Sequence, residues 1–527
     1  MKSVSPWAPF RQRAFAVLWI ATVVSNTGTA MHSLGSGWLM TTLTPDPLMV
    51  ALVQAATMGP LLLLALPSGA LADILNRQRL LLTVNGLMAL AAATLAGLVA
   101  LGWMSATLLL FFVFLLGTGA AFIAPAWQAI VPQLVPRETL GAAIALNSTG
   151  INVARAIGPA LAGVLIVGGG LAAPFFVNSL SFLVIVAALL WWRPAAQPAS
   201  ALPVEGLGEA IVNGLRYALH SAPLRATLVR GAAFFLFASA YWGLLPLIAR
   251  TSLGGSAQLY GVLLGCVGVG AVLGAVLLSW VKPRLGADRT VALGTLGTAL
   301  VLAVFSLIAN PYAGALASLL AGVSWIFALS SLQLSAQTAL PNWVRARGLS
   351  VFMMVFAGSM ALGSTLWGLI AAQLGIDAAL LIAAGSALVA IPLTWPAKLG
   401  QGEGLDLAPS MHWPAPLVLA DLPQERGPVM TTIEYRIDPA DVPAFLTLMR
   451  EQAQARRRSG AVQWWIMEDA AAPGHYVETF VEGSWVAHLR HHERVAGADR
   501  VIQEQIRALH RGDAPPLVRH LLAPPVV

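Results

Sequence analysis

The stretch INVARAIGPALAGVLI, residues 151–166, carries a guanidinium inside an otherwise apolar run. An arginine at the centre of a bilayer costs about 2.5–3.5 kcal/mol on insertion scales, so Arg155 calls for a compensating partner. Two kinds of chemistry are open to it. It can hold an anion in a wet cavity, or it can be a structural arginine bonded to carbonyls and polar side chains of a helix bundle. No apolar run holds an acidic residue well away from its ends, so no intramembrane carboxylate offers itself. Asn152 lies three residues earlier and shares its helix face. Asn26, Gln54, Asn85, Asn147, Asn178, Tyr241, Trp242 and Gln333 sit in comparable runs and could line the same cavity. His32 is the titratable group in such a run whose ordinary pKa lies near neutrality, which suits proton coupling. A lone histidine near a helix end equally suits packing.

Two further clusters have chemical potential. GALADILNRQRLL holds Gly69, Asp73, Arg77 and Arg79. The glycine allows close helix approach, and the acid at a helix end can pair with either arginine or with a helix N-terminus. SWVAHLRHHER holds Trp485, His488, His491 and His492. The four-residue spacing of His488 and His492 suits metal or haem. No second ligand-rich segment accompanies it, so a solvated helix face with no metal is expected.

The elements that must position these groups follow from hydropathy. Of 527 residues, 57% are hydrophobic and 10% charged, and the mean hydropathy is +0.76. Soluble domains carry about 25% charged residues, so this is a polytopic membrane protein. Segments of about 20 apolar residues recur twelve times between roughly residues 14 and 396, including separate ones near 258–281 and 288–309. The N-terminal segment reads as a cytoplasmic tail entering the first span, not a signal peptide. Lys2, Arg11, Arg13, Arg77, Arg79, Arg137, Arg193, Lys282, Arg284, Arg289 and Arg345 fall in alternate loops, opposed by Arg250 alone. The asymmetry predicts that both termini are cytoplasmic. The net charge of +7 then reflects topology and gives no case for nucleic-acid binding. The single Cys266 excludes an intrachain disulfide.

The expected fold is an all-α membrane protein of twelve transmembrane helices in two six-helix halves, residues 1–193 and 228–397. A cytoplasmic central loop, 194–227, separates them, and Leu207, Ile211, Leu215 and Leu219 make one face of an amphipathic helix there. That face suits either the membrane surface or solvent. Gln128, Pro132, Val135 and Leu140 match Gln337, Pro341, Val344 and Leu349 at a constant offset, the trace of a repeat. The repeat partner of Arg155 is Ser364. A Gly/Pro-rich linker, 398–428, leads to a soluble domain, 429–527, whose βαββαβ order predicts a small cytoplasmic α+β ferredoxin-like fold.

The Gly69–Arg79 cluster resembles the loop signature of the major facilitator superfamily, with Asn76 where that family favours glycine. GINVARAIGPALAG resembles the antiporter motif of its drug exporters, keeping Gly158, Pro159 and Gly163 but replacing one glycine by Ala162. The run from GTGAAFIAPAWQAIVPQLVP to that motif is similar to the branch of enterobactin exporters and related secretion proteins. The resemblance covers nearly all of residues 10–396. It implies alternating-access export of a small organic molecule, siderophore or drug-like, from the cell inner membrane, with proton antiport and no cofactor. Gating falls to Gly69, Asp73, Arg77, Arg79, Gly158 and Pro159. Val113 stands where many proton-coupled members carry arginine, a charge Arg155 could supply one helix later. The C-terminal domain is similar in element order to dimeric α/β-barrel monooxygenase-like domains, which implies a homodimer contact or, alternatively, a transporter–enzyme fusion. Import is the remaining alternative.

Overall fold

The computed structural model describes Ser5 and residues 7–193, 207–413 and 426–524. Among them, eleven helices are long and apolar enough to cross a membrane. Six precede the central loop: α1 (Arg13–Leu43), α2 (Pro47–Ile74), α3 (Arg77–Ala100), α4 (Ala106–Leu134), α5 (Leu140–Gly169) and α6 (Ala173–Trp191). The loop carries α7 (Leu207–His220). Then follow α8 (Ala222–Leu247), α9 (Ala257–Leu307), α10 (Pro311–Thr338), α11 (Arg345–Leu374) and α12 (Ile376–Thr394). The difference from twelve lies in α9, whose 51 residues take in both segments expected near 258–281 and 288–309. At 1.5 Å per residue a straight helix of that length would run about 75 Å, against a hydrocarbon core of about 30 Å. It is broken at Gly286, where φ is 74° and ψ 172°, a conformation open to glycine, three residues after Pro283.

Local signals start several helices. The Asp46 carboxylate accepts from the Leu48 N–H at 2.9 Å ahead of α2, with Pro47 at the first helical position. Ser105 caps α4 in the same way, and Asn76 caps α3, accepting from the Arg79 N–H at 3.0 Å. The asparagine that departs from the family signature is therefore a helix cap.

The chain divides into two compact units. The first comprises residues 1–204, 228–333 and 352–397. In it α1 packs on α5 and α6, α2 on α4, α3 on α4 and α6, and α9 on α5 and α12. The α5 contacts are close. A Cβ on Gly158 would stand 2.6 Å from the Ala30 Cβ and 3.1 Å from the Thr27 carbonyl of α1. On the other flank, a Cβ on Gly261 of α9 would stand 2.9 Å from the Pro159 carbonyl. Backbone-to-backbone approach of this kind is how helices associate in lipid, where no hydrophobic force draws them together.

The second unit comprises residues 205–227, 334–351 and 398–527. It holds α7, the end of α10, the start of α11 and an α+β domain. That domain has β1 (Val429–Arg436), α13 (Val442–Ser459), β2 (Gln463–Glu468), β3 (His475–Glu482), α14 (Trp485–Arg494), α15 (Gly497–Ala508) and β4 (Leu517–Leu522). The sheet order is β2-β3-β1-β4, with every pair antiparallel. Phe445 and Met449 of α13 and Ile506 of α15 bury against Tyr435 and Tyr476 of the sheet. Part of the segment expected as a linker is docked on this domain: the Ser410 N–H donates to the Val495 carbonyl at 2.8 Å and the Gly497 N–H to the Ala408 carbonyl at 3.0 Å.

Helix α7 has two faces. Asn213, Gly214, Tyr217 and Ala218 are buried, with the Tyr217 hydroxyl donating to the Ala339 carbonyl at 3.1 Å. Arg216 donates to the Gly460 carbonyl at 3.0 Å, tying α7 to the α+β domain. Val212, Leu215 and Leu219 are exposed, Leu219 to 65%. The side chain of Leu207 and residues 194–206 and 414–425 lie outside the described residues.

The close seat of α5 is testable. Gly158→Leu forces four extra carbons against α1, and overpacking costs about 1–3 kcal/mol. We expect a lower melting temperature in detergent. Gly86→Ala, with nothing among the described residues within 4 Å of the new methyl, should melt at or slightly above the wild-type temperature. Equal melting of Gly158→Leu and wild type would contradict the packing.

Candidate functional site

The surroundings of Arg155 are set by the pitch of α5. With about 100° between successive residues, two groups of exposed positions lie on opposite sides of the helix. Val153, Ile157, Leu161 and Val164 form one and are wholly apolar. Ser148, Asn152 and Arg155, spaced four and three apart, form the other and are polar, with exposed Ile144 beside them. Gly150 and Gly158 meet α1, and Gly163 meets α9. An apolar stripe suits hydrocarbon; a polar one suits water or a polar ligand. The structure thus brings Asn152 and Arg155 together on one accessible strip and adds Ser148, which sequence reasoning passed over. A polar residue four positions before Asn152 was the available signal.

The other candidates are not all alike. Asn147 accepts from the Trp127 indole N–H at 3.2 Å, joining α4 to α5. Asn178 is 1% exposed and bonded to Ser181, opposite Gly28 in the α1–α6 contact. Asn85 is equally buried, its amide donating to the Leu81 carbonyl. These three serve helix packing. Asn26 and Gln54 are half-buried on α1 and α2, and Gln333 is exposed on α10. His32 is buried, with Nε2 3.2 Å from the Ser36 hydroxyl and its ring edge-on to Phe175 at 5.1 Å. Val113 is 4% exposed inside the α2–α3–α4 core, so its side chain does not reach the α5 strip. Ser364, the repeat partner of Arg155, is fully buried against Gly243.

Tyr241 and Trp242 belong to an aromatic cluster on α8, α10 and α11. Trp242 lies 5.4 Å from Trp325, and Phe356 lies 4.7 Å from Phe235 and 6.2 Å from Trp325. The Tyr241 hydroxyl and the Trp242 indole N–H are buried without a hydrogen-bond partner among the described residues. Such groups cost about 1–3 kcal/mol each unless something else satisfies them. Trp325, Phe235 and Phe356 were invisible as a group in the sequence because they come from three helices.

The expected gate residues divide. Gly158 and Pro159 are buried in the α1 and α9 contacts. Among the described residues nothing lies within 4 Å of where a Gly69 Cβ would stand, so the close helix approach expected there is not seen. Arg77 is half-buried at the start of α3 and Arg79 is exposed. The side chain of Asp73 lies outside the described residues. Two unforeseen charged contacts stand out. Arg230, 3% exposed, binds the Asp288 carboxylate at 2.7 Å and lies over the Trp395 ring. Arg250, in the turn after α8, donates to the Thr41 carbonyl and lies 6.0 Å from the centre of the Trp38 ring, tying that turn to the end of α1.

In the α+β domain the histidine cluster corrects the expected solvated face. His488 is fully buried and His491 is 1% exposed. Both stand on Glu482 of β3, each Nδ1 lying 2.5 Å from a carboxylate oxygen. Burial raises the Glu482 carboxyl, but the two histidines outweigh it and hold it below the usual range. Burial, then neighbouring histidines, pushes His492 down to about 3. A second contributing segment exists after all: His520 of β4 lies 4.8 Å from His488, ring centre to ring centre. Next along β3, Glu478 is fully buried and satisfied by Arg456, Trp464 and Tyr435 at 2.9, 3.0 and 3.1 Å.

By length and composition, the eleven long apolar helices among the described residues are those of a polytopic membrane protein. Solved structures agree on the fold: a bacterial homolog of the human lysosomal transporter Spinster aligns with a TM-score of 0.56 at 16% identity, covering 74% of this chain and 95% of that one. A POT family transporter in complex with 5-aminolevulinic acid gives 0.58 at 14% identity, over 73% and 96%. The chain belongs to the transmembrane secretion effector family, which it matches over residues 4–525. It is similar to the Staphyloferrin A transporter of Staphylococcus aureus, 23% identical over 358 residues, 66% of this chain and 87% of the relative. It is also similar to the Enterobactin exporter EntS of Salmonella typhi, 25% identical over 323 residues, 60% and 76% respectively. The family and these relatives are membrane transporters, not enzymes.

The two stripes of α5 are separable by labelling. In a Cys266→Ala background, cysteines at Ser148 and Asn152 should react with a hydrophilic thiol reagent, and those at Val153, Ile157 and Leu161 should stay at least tenfold slower. Equal reactivity on both stripes would contradict a wet strip.

Proposed function

We propose that the protein exports a small anionic organic molecule of the siderophore class by alternating access, with Arg155 meeting the anion. One observation carries this reading: a cationic side chain with no carboxylate on its own face, on an accessible polar strip of a membrane helix. An arginine there favours a ligand that brings the negative charge. Asn152 and Ser148 supply directional hydrogen bonds beside it. The aromatic cluster with its unpaired Tyr241 and Trp242 groups is suited to a flat ring on the other half. Asn26, Gln54 and Gln333 are proposed as further lining. The two relatives, a staphyloferrin A transporter and an enterobactin exporter, support the substrate class and, in the second case, the outward direction.

In this reading α9 crosses the membrane twice, giving twelve spans in two six-helix halves with both termini in the cytoplasm. The loop charges support that orientation. Arg250 and Thr41 would then seal the outer end, and the Gly69–Arg79 loop would lie at the inner gate. The exposed apolar face of α7 would rest on the cytoplasmic membrane surface. The strand order β2-β3-β1-β4 supports a ferredoxin-like assignment for the cytoplasmic domain, which could pair two copies through its sheet. The exchanged ion is proposed to be the proton, with His32, whose ordinary pKa lies near neutrality, as the group that carries it.

The test is efflux from cells or proteoliposomes carrying wild type, Arg155→Ala or Arg155→Lys. For catecholates, we expect Arg155→Ala to lose at least tenfold in rate and Arg155→Lys to retain part of it. Cationic dyes, if carried, should be little affected. A protonophore should stop wild-type efflux. Catecholate export by Arg155→Ala at the wild-type rate, with equal protein in the membrane, would overturn the assignment.

A further inference from the structure

We propose that His488, His492 and His520 form a binding site for one divalent transition-metal ion in the α+β domain, with Glu482 orienting the site from behind. The proposal is independent of the transport reading.

The geometry is that of a chelate. One ring nitrogen from each histidine lies within 4.8 Å of the other two. The Nε2 atoms of His488 and His492 are 3.2 Å apart. Two nitrogens bound to one tetrahedral zinc at about 2.0–2.1 Å stand about 3.3–3.4 Å apart. The nitrogen spacing therefore already matches a shared metal, which would displace the proton now held between the two rings. The pair sits one helical turn apart on α14, and His520 comes across from β4, so the three do not depend on one flexible segment.

The outer contacts point the same way. The Glu482 carboxylate is 2.5 Å from Nδ1 of His488. A carboxylate accepting the Nδ1–H fixes the tautomer that leaves the Nε2 lone pair free, and it raises the basicity of the ring. This carboxylate–histidine arrangement recurs behind metal-binding histidines. Glu482 holds His491 equally, so the acid is locked between two rings and contributes negative charge close to the cation. Arg456, the nearest buried cation on α13, is neutralised by Glu478. Imidazole donors suit zinc, cobalt, nickel and copper and do not suit magnesium or calcium. Because His492 and His520 are half-buried, a fourth position faces outward and can take water or another ligand. Bound metal would clamp the last strand of the sheet to α14.

The full-length protein in detergent, purified without a histidine tag and freed of metal, would be titrated with Co²⁺ and then Zn²⁺. Metal content, visible d–d absorption and melting temperature would be read. Wild type should take up one equivalent with a tetrahedral-type Co²⁺ spectrum bleached by Zn²⁺, and Zn²⁺ should raise its melting temperature. His492→Ala and His520→Ala, both at partly exposed positions, should each weaken binding at least a hundredfold while eluting and melting without metal like wild type. If either misfolds, His492→Gln supplies the same test with ring-sized bulk retained. Absence of stoichiometric binding by wild type overturns the proposal. So does binding that survives the double variant His492→Ala/His520→Ala. So does binding that is lost in His475→Ala, which would put the metal beside Asp469 and Glu434 instead.

Discussion

The close approach of α5 to α1 and α9 is the constraint on which the transport reading rests. Gly158 lets the α1 backbone come within contact distance, and Gly261 does the same on the α9 side at Pro159. With these contacts made, Val153, Ile157, Leu161 and Val164 stay exposed on one side of α5, and Ser148, Asn152 and Arg155 on the other. One can face lipid at no cost. The other holds Arg155, which suits water or a polar ligand and not hydrocarbon. The motif glycines and the arginine are thus parts of one device: the glycines fix the rotation of the helix, and the rotation decides where the charge points.

Much of this was legible in the sequence. Hydropathy summed over about twenty residues overwhelms local detail, so the membrane class and the helix positions were readable. Arg155 was readable because it violates that pattern. Its neighbour Asn152 followed from helical spacing. Less legible was anything depending on a single backbone angle or on a partner distant in the chain. The unusual φ of Gly286 decides whether two apolar segments are one helix or two, and hydropathy does not contain it. Asn147 and Asn178 have the same residue type as Asn152, yet they are spent on Trp127 and Ser181. Only three-dimensional neighbours separate a packing asparagine from a lining one. Gly69 shows the converse, a motif residue whose expected close neighbour is missing among the described residues.

The α+β domain shows how burial changes a residue's meaning. SWVAHLRHHER reads as a polar helix face, because nothing in those eleven letters announces a buried acid beneath it. Glu482 lies on the preceding strand, pointing inward at every second residue of β3 alongside Glu478, Phe480 and Tyr476. A strand that places two carboxylates in a core must supply partners for each, since a lone buried charge is far more costly than a paired one. Arg456 meets one and two histidines meet the other. His520, thirty residues downstream, completes the group through the pairing of β4 with β1, where it lies opposite Thr431.

The central claim is that Arg155 recognises negative charge on the transported molecule. The most direct measurement is equilibrium binding by the purified protein of a carboxylate-bearing ligand and of its neutral methyl ester, for wild type and Arg155→Ala. The account predicts that wild type prefers the carboxylate by at least tenfold and that Arg155→Ala binds the two forms alike, with the ester unaffected by the substitution. An equal preference for the carboxylate in both proteins would contradict it and leave Arg155 a structural residue of the bundle.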